Sequence, residues 1–302
     1  MKGFISAFQD YSTKDGPGLR QTVFLKRCNL RCLWCCNPET LEPGEELFFF
    51  PERIKDAQLA LAENPNLAQT PDGWQLDRAG LPDPEAVLER NTQPIFEPVG
   101  QWVEAQECAR RILRDKAFYD ASGGGATFSG GEPMLQPDFI AEVQGLLRGT
   151  GVRTAIDTAG NVPWESFEKV LDATDLFLYD IKAADSGLHK KLTGVGNERI
   201  LENARLLGEA ARELWVRLVV VPGLNDTPAD LGRRLELVAH MGAKVTRVDV
   251  LGYHSLGVGK YRRLGREYPL HDVPALDPAV VEGTLTYAAG LGLPVHYEPG
   301  LT

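Results

Sequence analysis

Six short apolar segments, each followed by an amphipathic stretch, constrain the fold of this chain more than any single residue. The strand candidates are Thr22–Lys26, Ala126–Ser129, Thr154–Asp157, Leu176–Ile181, Trp215–Val221 and Thr246–Leu251. All are rich in β-branched or aromatic residues, as expected of strands buried on both faces. Helical patterns mark Asp138–Leu147, Glu165–Leu171, Glu198–Ala211, Ala229–His240 and Ala279–Ala289. Strands alternating with helices predict an α/β fold, a parallel sheet with helices packed outside it. The first strand leads into a cysteine loop and not a Gly-x-Gly-x-x-Gly turn, so a partial (β/α)6 barrel is expected in preference to an open Rossmann sheet.

The rhythm breaks between about Leu41 and Glu107, where proline, asparagine and glutamate dominate. A small inserted domain is expected over residues 42–108, within a discontinuous barrel formed by 1–41 and 109–302. The chain of 302 residues has 32 basic and 42 acidic side chains, a formal charge of −10. That balance speaks against general nucleic-acid binding. No apolar run approaches the ~20 residues that span a bilayer. The start, MKGFISAFQD, turns polar too early for a signal peptide, and a cytoplasmic location is expected.

Polar and glycine-rich residues fall after the strands, where an α/β barrel gathers its chemistry. The cysteine loop follows the first strand, Gly130-Gly131-Glu132 the second, and Asp157-Thr158 the third. Asp180 and Lys182 end the fourth, Arg217 lies in the fifth, and Tyr253-His254 follow the sixth.

Four of the five cysteines are Cys28, Cys32, Cys35 and Cys36, with Cys108 apart. Three thiolates at spacings of three and two suit a cubane iron–sulfur cluster with one iron left open, because soft sulfur ligands select such clusters or zinc. An electron-transfer cluster normally takes four cysteines. A zinc knuckle or free buried thiols are the other readings. Zinc would want a fourth ligand nearby, and Cys36 adjoins Cys35 too closely to share its ion. Cys108 lies in the helical pattern Val103–Leu113 and reads as a small buried hydrophobe.

Cys28-x3-Cys32-x2-Cys35 after a first strand, with Trp34 before the third cysteine, resembles the signature of the radical S-adenosylmethionine (SAM) superfamily. Further segments resemble the activating enzymes of glycyl radical enzymes, most nearly those of the pyruvate formate-lyase type. They are Asp15-Gly16-Pro17-Gly18-Leu19-Arg20, Asn37-Pro38-Glu39, Ala121 to Glu132, Asp157-Thr158, Tyr179 to Lys182, Trp215 to Gly223, and Tyr253 to Gly257. The resemblance implies one [4Fe-4S] cluster on Cys28, Cys32 and Cys35, whose open iron chelates SAM. It implies a 5′-deoxyadenosyl radical that takes hydrogen from a glycine of a partner glycyl radical enzyme. It places Gly130 and Gly131 at the methionine amino group, Glu132 among the cofactor-binding residues, and Lys182 and Arg217 on the carboxylate or ribose side. Trp34, Val219 and His254 would line the adenosine, with Cys36 and Ile181 near the cofactor. Asp157, Thr158 and Asp180 would hold a monovalent cation, as hard oxygen ligands can.

Many activases of this kind carry a ferredoxin-like insertion with two Cys-x2-Cys-x2-Cys-x3-Cys-Pro runs, the spacing that supplies cluster ligands. Here residues 41–107 contain no cysteine. The ligand spacing traces onto Ile54, Ala57, Ala60 and Asn64, then onto Leu81, Pro84, Val87 and Asn91. A ferredoxin-like module that has lost both clusters is expected, and electrons would arrive directly from a flavodoxin or ferredoxin. Two rivals remain at this stage. One is a radical SAM enzyme acting on a small molecule or natural-product peptide. The other is a non-catalytic iron–sulfur or zinc protein.

Overall fold

The computed structural model describes residues 1–299, so the last three residues of the expected barrel segment lie outside the described residues. In chain order the strands are β1 (Lys2–Ser12), β2 (Arg20–Leu25), β3 (Glu46–Phe49), β4 (Leu67–Thr70), β5 (Gly73–Leu76), β6 (Phe96–Val99) and β7 (Gln101–Glu104). They continue as β8 (Gly125–Gly130), β9 (Arg153–Thr158), β10 (Leu176–Asp180), β11 (Leu214–Val220), β12 (Val245–Gly252) and β13 (Val295–Glu298). The large sheet runs β13-β12-β11-β10-β9-β8-β2-β1-β7. Pairing is parallel from β13 through to β2, and β1 and β7 add on antiparallel.

All six expected strands are present. β1, β7 and β13 have no counterpart in the sequence reading. β1 carries exposed Gln9, Asp10 and Tyr11, so it lacks the continuous apolar run of a buried parallel strand. β13 is short, and β7 is an edge strand whose Trp102 stays exposed.

Helices fill the crossovers, and their starts are written locally. Thr227 caps Pro228–Ala239 by accepting from the Asp230 amide, and Asp277 caps Pro278–Gly290, each with proline in the first turn. The core lies between sheet and helices. Phe128, Ile156, Phe177, Tyr179, Val216 and Leu218 of the strands meet Phe139, Ile140, Phe167, Ile200, Leu207 and Leu235 of the helices. Burying each such side chain is worth roughly 1.5–3 kcal/mol.

The period of two along a strand sends the alternate residues to the inner face. Ala155, Leu176, Leu178 and Trp215 form an apolar layer there. Beyond it, toward the C-terminal strand ends, the inner face turns ionic with Asp157, Asp180 and Arg217.

Residues 46–99 build a separate small unit. β3 pairs with β6, β4 pairs with β5, and helices Ala57–Glu63 and Pro84–Arg90 lie between them. Leu47, Phe49, Ala60, Leu67, Val87, Ile95 and Phe96 form its core. The barrel resumes earlier than residue 109. β7 is already hydrogen-bonded to β1, and Ala105, Cys108 and Ala109 of helix Ala105–Arg114 are buried in the main core. Charged residues on the exposed face of that helix hide this return to the barrel in the sequence.

Candidate active site

The loop after β2 carries Cys28, Cys32, Cys35 and Cys36, all half-buried and free. Backbone hydrogen bonds set its shape. The Arg31 amide donates to Thr193 O at 2.7 Å and the Leu33 amide to Leu192 O at 3.0 Å. The Arg27 amide donates to Thr40 O at 2.7 Å. Thr193 is itself held by His189, whose Nδ1 lies 3.0 Å from the threonine hydroxyl and 2.7 Å from Val195 O.

Burial pushes the Cys28 thiol up to about 12 and raises Cys32, Cys35 and Cys36 as well. Free thiols in this loop stay protonated at neutral pH, and a metal is what would hold them as thiolates. Among the described residues no three His, Cys, Asp or Glu side chains converge on a point fit for a single metal ion. Three thiols on one loop are the soft donors that an iron–sulfur cluster takes.

Beside the loop lies the ionic layer. Register places Asp180 of β10 directly against Arg217 of β11. The guanidinium bonds Asp180 Oδ1 at 3.2 Å and also Asp157, which accepts at 2.7 Å from Ser129. Lys182 Nζ donates to Asp180 Oδ2 at 2.9 Å. Burial works against the Lys182 ammonium, but Asp180, with Cys32 behind it, outweighs that and raises its pKa. Burial alone would raise Asp180, and Lys182 and Arg217 outweigh it in turn and hold that carboxyl below the usual range. Burial raises the Asp157 carboxyl against the pull of Arg217, and the Lys182 end of the layer lies near Cys28 and Cys32.

Gly130 and Gly131 pack against the entrance to the cysteine loop. A Cβ on Gly130 would overlap the Leu25 carbonyl, and one on Gly131 the Arg27 carbonyl. Gly130 also has φ +116°, which other residues rarely adopt. Glu132 turns toward the end of β9. It is fully buried and accepts from Thr158 Oγ1 at 2.5 Å and from the amides of Met134, Ala159 and Gly160. The hydroxyl expected to ligate a cation is thus engaged by Glu132, and Arg217 bridges the two expected aspartates. In this structure the three groups form an ion-pair layer and a turn lock.

The Ile181 side chain belongs to the sheet–helix core. Only its backbone borders the site, its amide donating to Arg217 O at 3.0 Å. Trp34 packs with Ala183, Leu192 and Val221, and Val219 and Tyr253 border the same cluster. His254 follows β12 with Nδ1 buried and without a hydrogen-bond partner, and burial lowers its pKa, so it is neutral at pH 7. Cys36 lies under Gly257, where a Cβ would stand 2.8 Å from Cys36 Cα.

Sequence reasoning missed His189 and Asn225. Asn225 donates to Lys182 O and Val219 O at 2.9 Å each and accepts from the Val221 amide at 2.7 Å. It ties two site-bearing strand ends together. Its only sequence signal was an asparagine in a turn after a strand.

Residues 22–235 match the radical SAM superfamily. The benzylsuccinate synthase activating enzyme of Thauera aromatica is 35% identical over 274 residues, covering 87% of this chain and 82% of that one. The pyruvate formate-lyase-activating enzyme of Staphylococcus aureus (strain USA300) is 33% identical over 293 residues, covering 95% of each. Among solved structures, Streptococcus suis SuiB bound to precursor peptide SuiA aligns with TM-score 0.53 at 14% identity, over 90% of this chain and 46% of that one. That last likeness concerns the fold alone.

A parallel partial barrel with a three-cysteine loop over an ionic mouth defines a radical SAM enzyme, and the chain belongs to that superfamily. Within it, the chain belongs to the activating enzymes of glycyl radical enzymes. Its cofactors are a [4Fe-4S] cluster and SAM. No helix is long and apolar enough to cross a membrane among the described residues.

Proposed function

We propose that Cys28, Cys32 and Cys35 hold the cluster and that the ionic layer beside them receives SAM. When bound, these cofactors supply a 5′-deoxyadenosyl radical that abstracts hydrogen from a glycine α-carbon of the protein partner. The observation that carries this reading is the meeting, at one end of the sheet, of three half-buried thiols with the largely enclosed Lys182–Asp180–Arg217–Asp157 network. Lys182 and Arg217 are permanent cations in a water-poor setting, where their pull on a carboxylate is strong. Asp157 and Asp180 keep both cations in place when the ligand is absent. The methionine amino group would meet the Gly130-Gly131 backbone, with Glu132 fixing that turn from behind. Trp34, Val219 and the neutral His254, whose buried Nδ1 lacks a partner, would border the nucleoside.

The insertion has the strand and helix order of a ferredoxin without its thiols. Six of the eight traced positions, Ile54, Ala57, Ala60, Leu81, Pro84 and Val87, carry apolar side chains. All eight are at least half-buried. We assign it no electron-transfer role, so a flavodoxin or ferredoxin would reduce the barrel cluster directly. Free cysteines and a cluster that needs reducing conditions support a cytoplasmic location.

Lys182→Ala and Asp157→Ala test the assignment. Both should keep their iron. Lys182→Ala should raise the KM for SAM about tenfold or more, the loss of one charge-assisted contact. Asp157→Ala should have a smaller effect through Arg217. Unchanged SAM cleavage in both variants contradicts the placement of SAM.

A further inference from the structure

The insertion is docked through charged side chains, and they converge on one short segment of the barrel. Arg78 Nη1 donates to Leu47 O inside the insertion at 2.9 Å, and its Nη2 donates to Arg263 O at 2.5 Å. Arg263 closes the helix Val258–Arg263. Gly265, just beyond, has φ +65° and leaves room for Arg78, whose Nε would stand 2.7 Å from a Cβ there. Glu46 accepts from Arg266 at 2.5 Å and from the fully buried Lys26 ammonium at 2.8 Å. The Arg263 guanidinium also lies 4.5 Å from the Phe50 ring.

The other side of the same segment rests on the cysteine loop. Gly257 packs on Cys35 and Cys36, and Arg266 Nη1 donates to Pro38 O at 2.6 Å. Lys260 donates to Glu39 at 2.5 Å and to Asn37 at 2.9 Å. Between these anchors, Tyr261 and Tyr268 lie edge to face, with centroids 5.0 Å apart, and the Tyr268 hydroxyl meets that of Tyr253 at 3.0 Å. The three tyrosines, with Leu270 and Val273, line a cavity of about 500 Å³. Tyr253, Leu270 and Val273 also pack around the Trp34 cluster. The cavity therefore adjoins the surface assigned above to the nucleoside.

We infer that Arg78 and Glu46 of the insertion are positioning residues for SAM. They brace Gly257–Tyr268 so that the tyrosine wall keeps its place beside the cysteine loop. The inference rests on the placement of the nucleoside proposed above. A module that has no thiols to relay electrons thus acts on the reaction by shape. Arg78 suits the task because its planar fork reaches two carbonyls at once, one on each unit, which a lysine cannot do equally well.

The test uses the full-length, anaerobically reconstituted enzyme with dithionite and SAM, and measures 5′-deoxyadenosine release. In Arg78→Ala the KM for SAM should rise about five- to tenfold, with kcat within about twofold and iron near four per chain. Arg78→Lys should recover part of the loss, and Glu46→Gln should show a smaller rise in KM of the same kind. A KM equal to wild type in both Arg78→Ala and Glu46→Gln overturns the inference. So does a parallel fall of kcat, KM effect and iron content that Arg78→Lys shares in full, since that marks general unfolding. Direct binding of SAM to the wild-type holoenzyme separates the two levels. If SAM binds and Lys182→Ala weakens it while Arg78→Ala does not, only the bracing role falls. If wild type neither binds nor cleaves SAM, the functional reading falls and the bracing role with it.

Discussion

At Glu132 four donors meet one carboxyl group that water does not reach. Burial dominates and raises its pKa to about 7, the donors pulling the other way. A carboxyl raised in the native state binds more protons folded than unfolded between its ordinary value and about 7. Stability should therefore fall as pH rises through that window, by on the order of 3 kcal/mol at the upper limit. His189 and His254, lowered by burial, act in the opposite sense there. The Glu132 contribution is therefore read as the difference between denaturant titrations of wild type and Glu132→Gln from pH 5 to pH 8, the wild type losing more stability as pH rises. An equal slope in the variant assigns the effect elsewhere. The sequence marks Gly-Gly-Glu as a motif, but it cannot show which way the carboxylate turns. The same holds for Thr158 and Ile181. Their neighbours Asp157 and Asp180 face the inner surface, and the strand period of two turns these residues to the helix side.

The insertion shows what a short element needs when it is built without cluster ligands. Helix Ala57–Glu63 is capped by Asp56 and ends at Asn64, while helix Pro84–Arg90 is capped by Asp83 and ends at Asn91. The two asparagines exchange amide hydrogen bonds of 2.7 and 3.0 Å, and each also bonds its own helix at Ala60 O or Val87 O. They stand where the traced spacing has its fourth cysteines, so a polar clasp joins the two half-repeats there. Asn64→Ala leaves the Asn91 amide short of a partner and should destabilise the insertion by about 1–3 kcal/mol. Limited proteolysis should then cut within residues 50–95 faster than in wild type, with iron content unchanged. Equal cutting rates would show that apolar packing alone holds the unit. The equivalent positions of Asn64 and Asn91 were visible in the sequence. That the asparagines bond each other was not, because nothing local specifies a contact across 27 residues.

Across the whole molecule, the parallel strands and their crossover helices were legible because each buries a continuous apolar run or one clear stripe. β1 and β7 were not, since antiparallel strands with one wet face carry a weaker signal. The strand-end residues Asp157, Asp180, Lys182 and Arg217 could be collected from sequence as one mouth. Their pairing into a single ionic layer depends on the register of β10 with β11, which only the sheet supplies. The bracing of the mouth by Arg78 and Glu46 joins positions far apart in the chain and had no sequence signal at all.

One measurement bears on the whole account most directly: 5′-deoxyadenosine formed from SAM by the dithionite-reduced, anaerobically reconstituted protein, read against iron per chain. With cluster ligands supplied only by Cys28, Cys32 and Cys35, the expected result is cleavage by protein holding about four irons, one cubane and not three. Cys36→Ala should match wild type in iron and cleavage, whereas Cys35→Ala should lose both. Iron near twelve, an absence of 5′-deoxyadenosine at full cluster occupancy, or loss of cleavage in Cys36→Ala with retention in Cys35→Ala would contradict it.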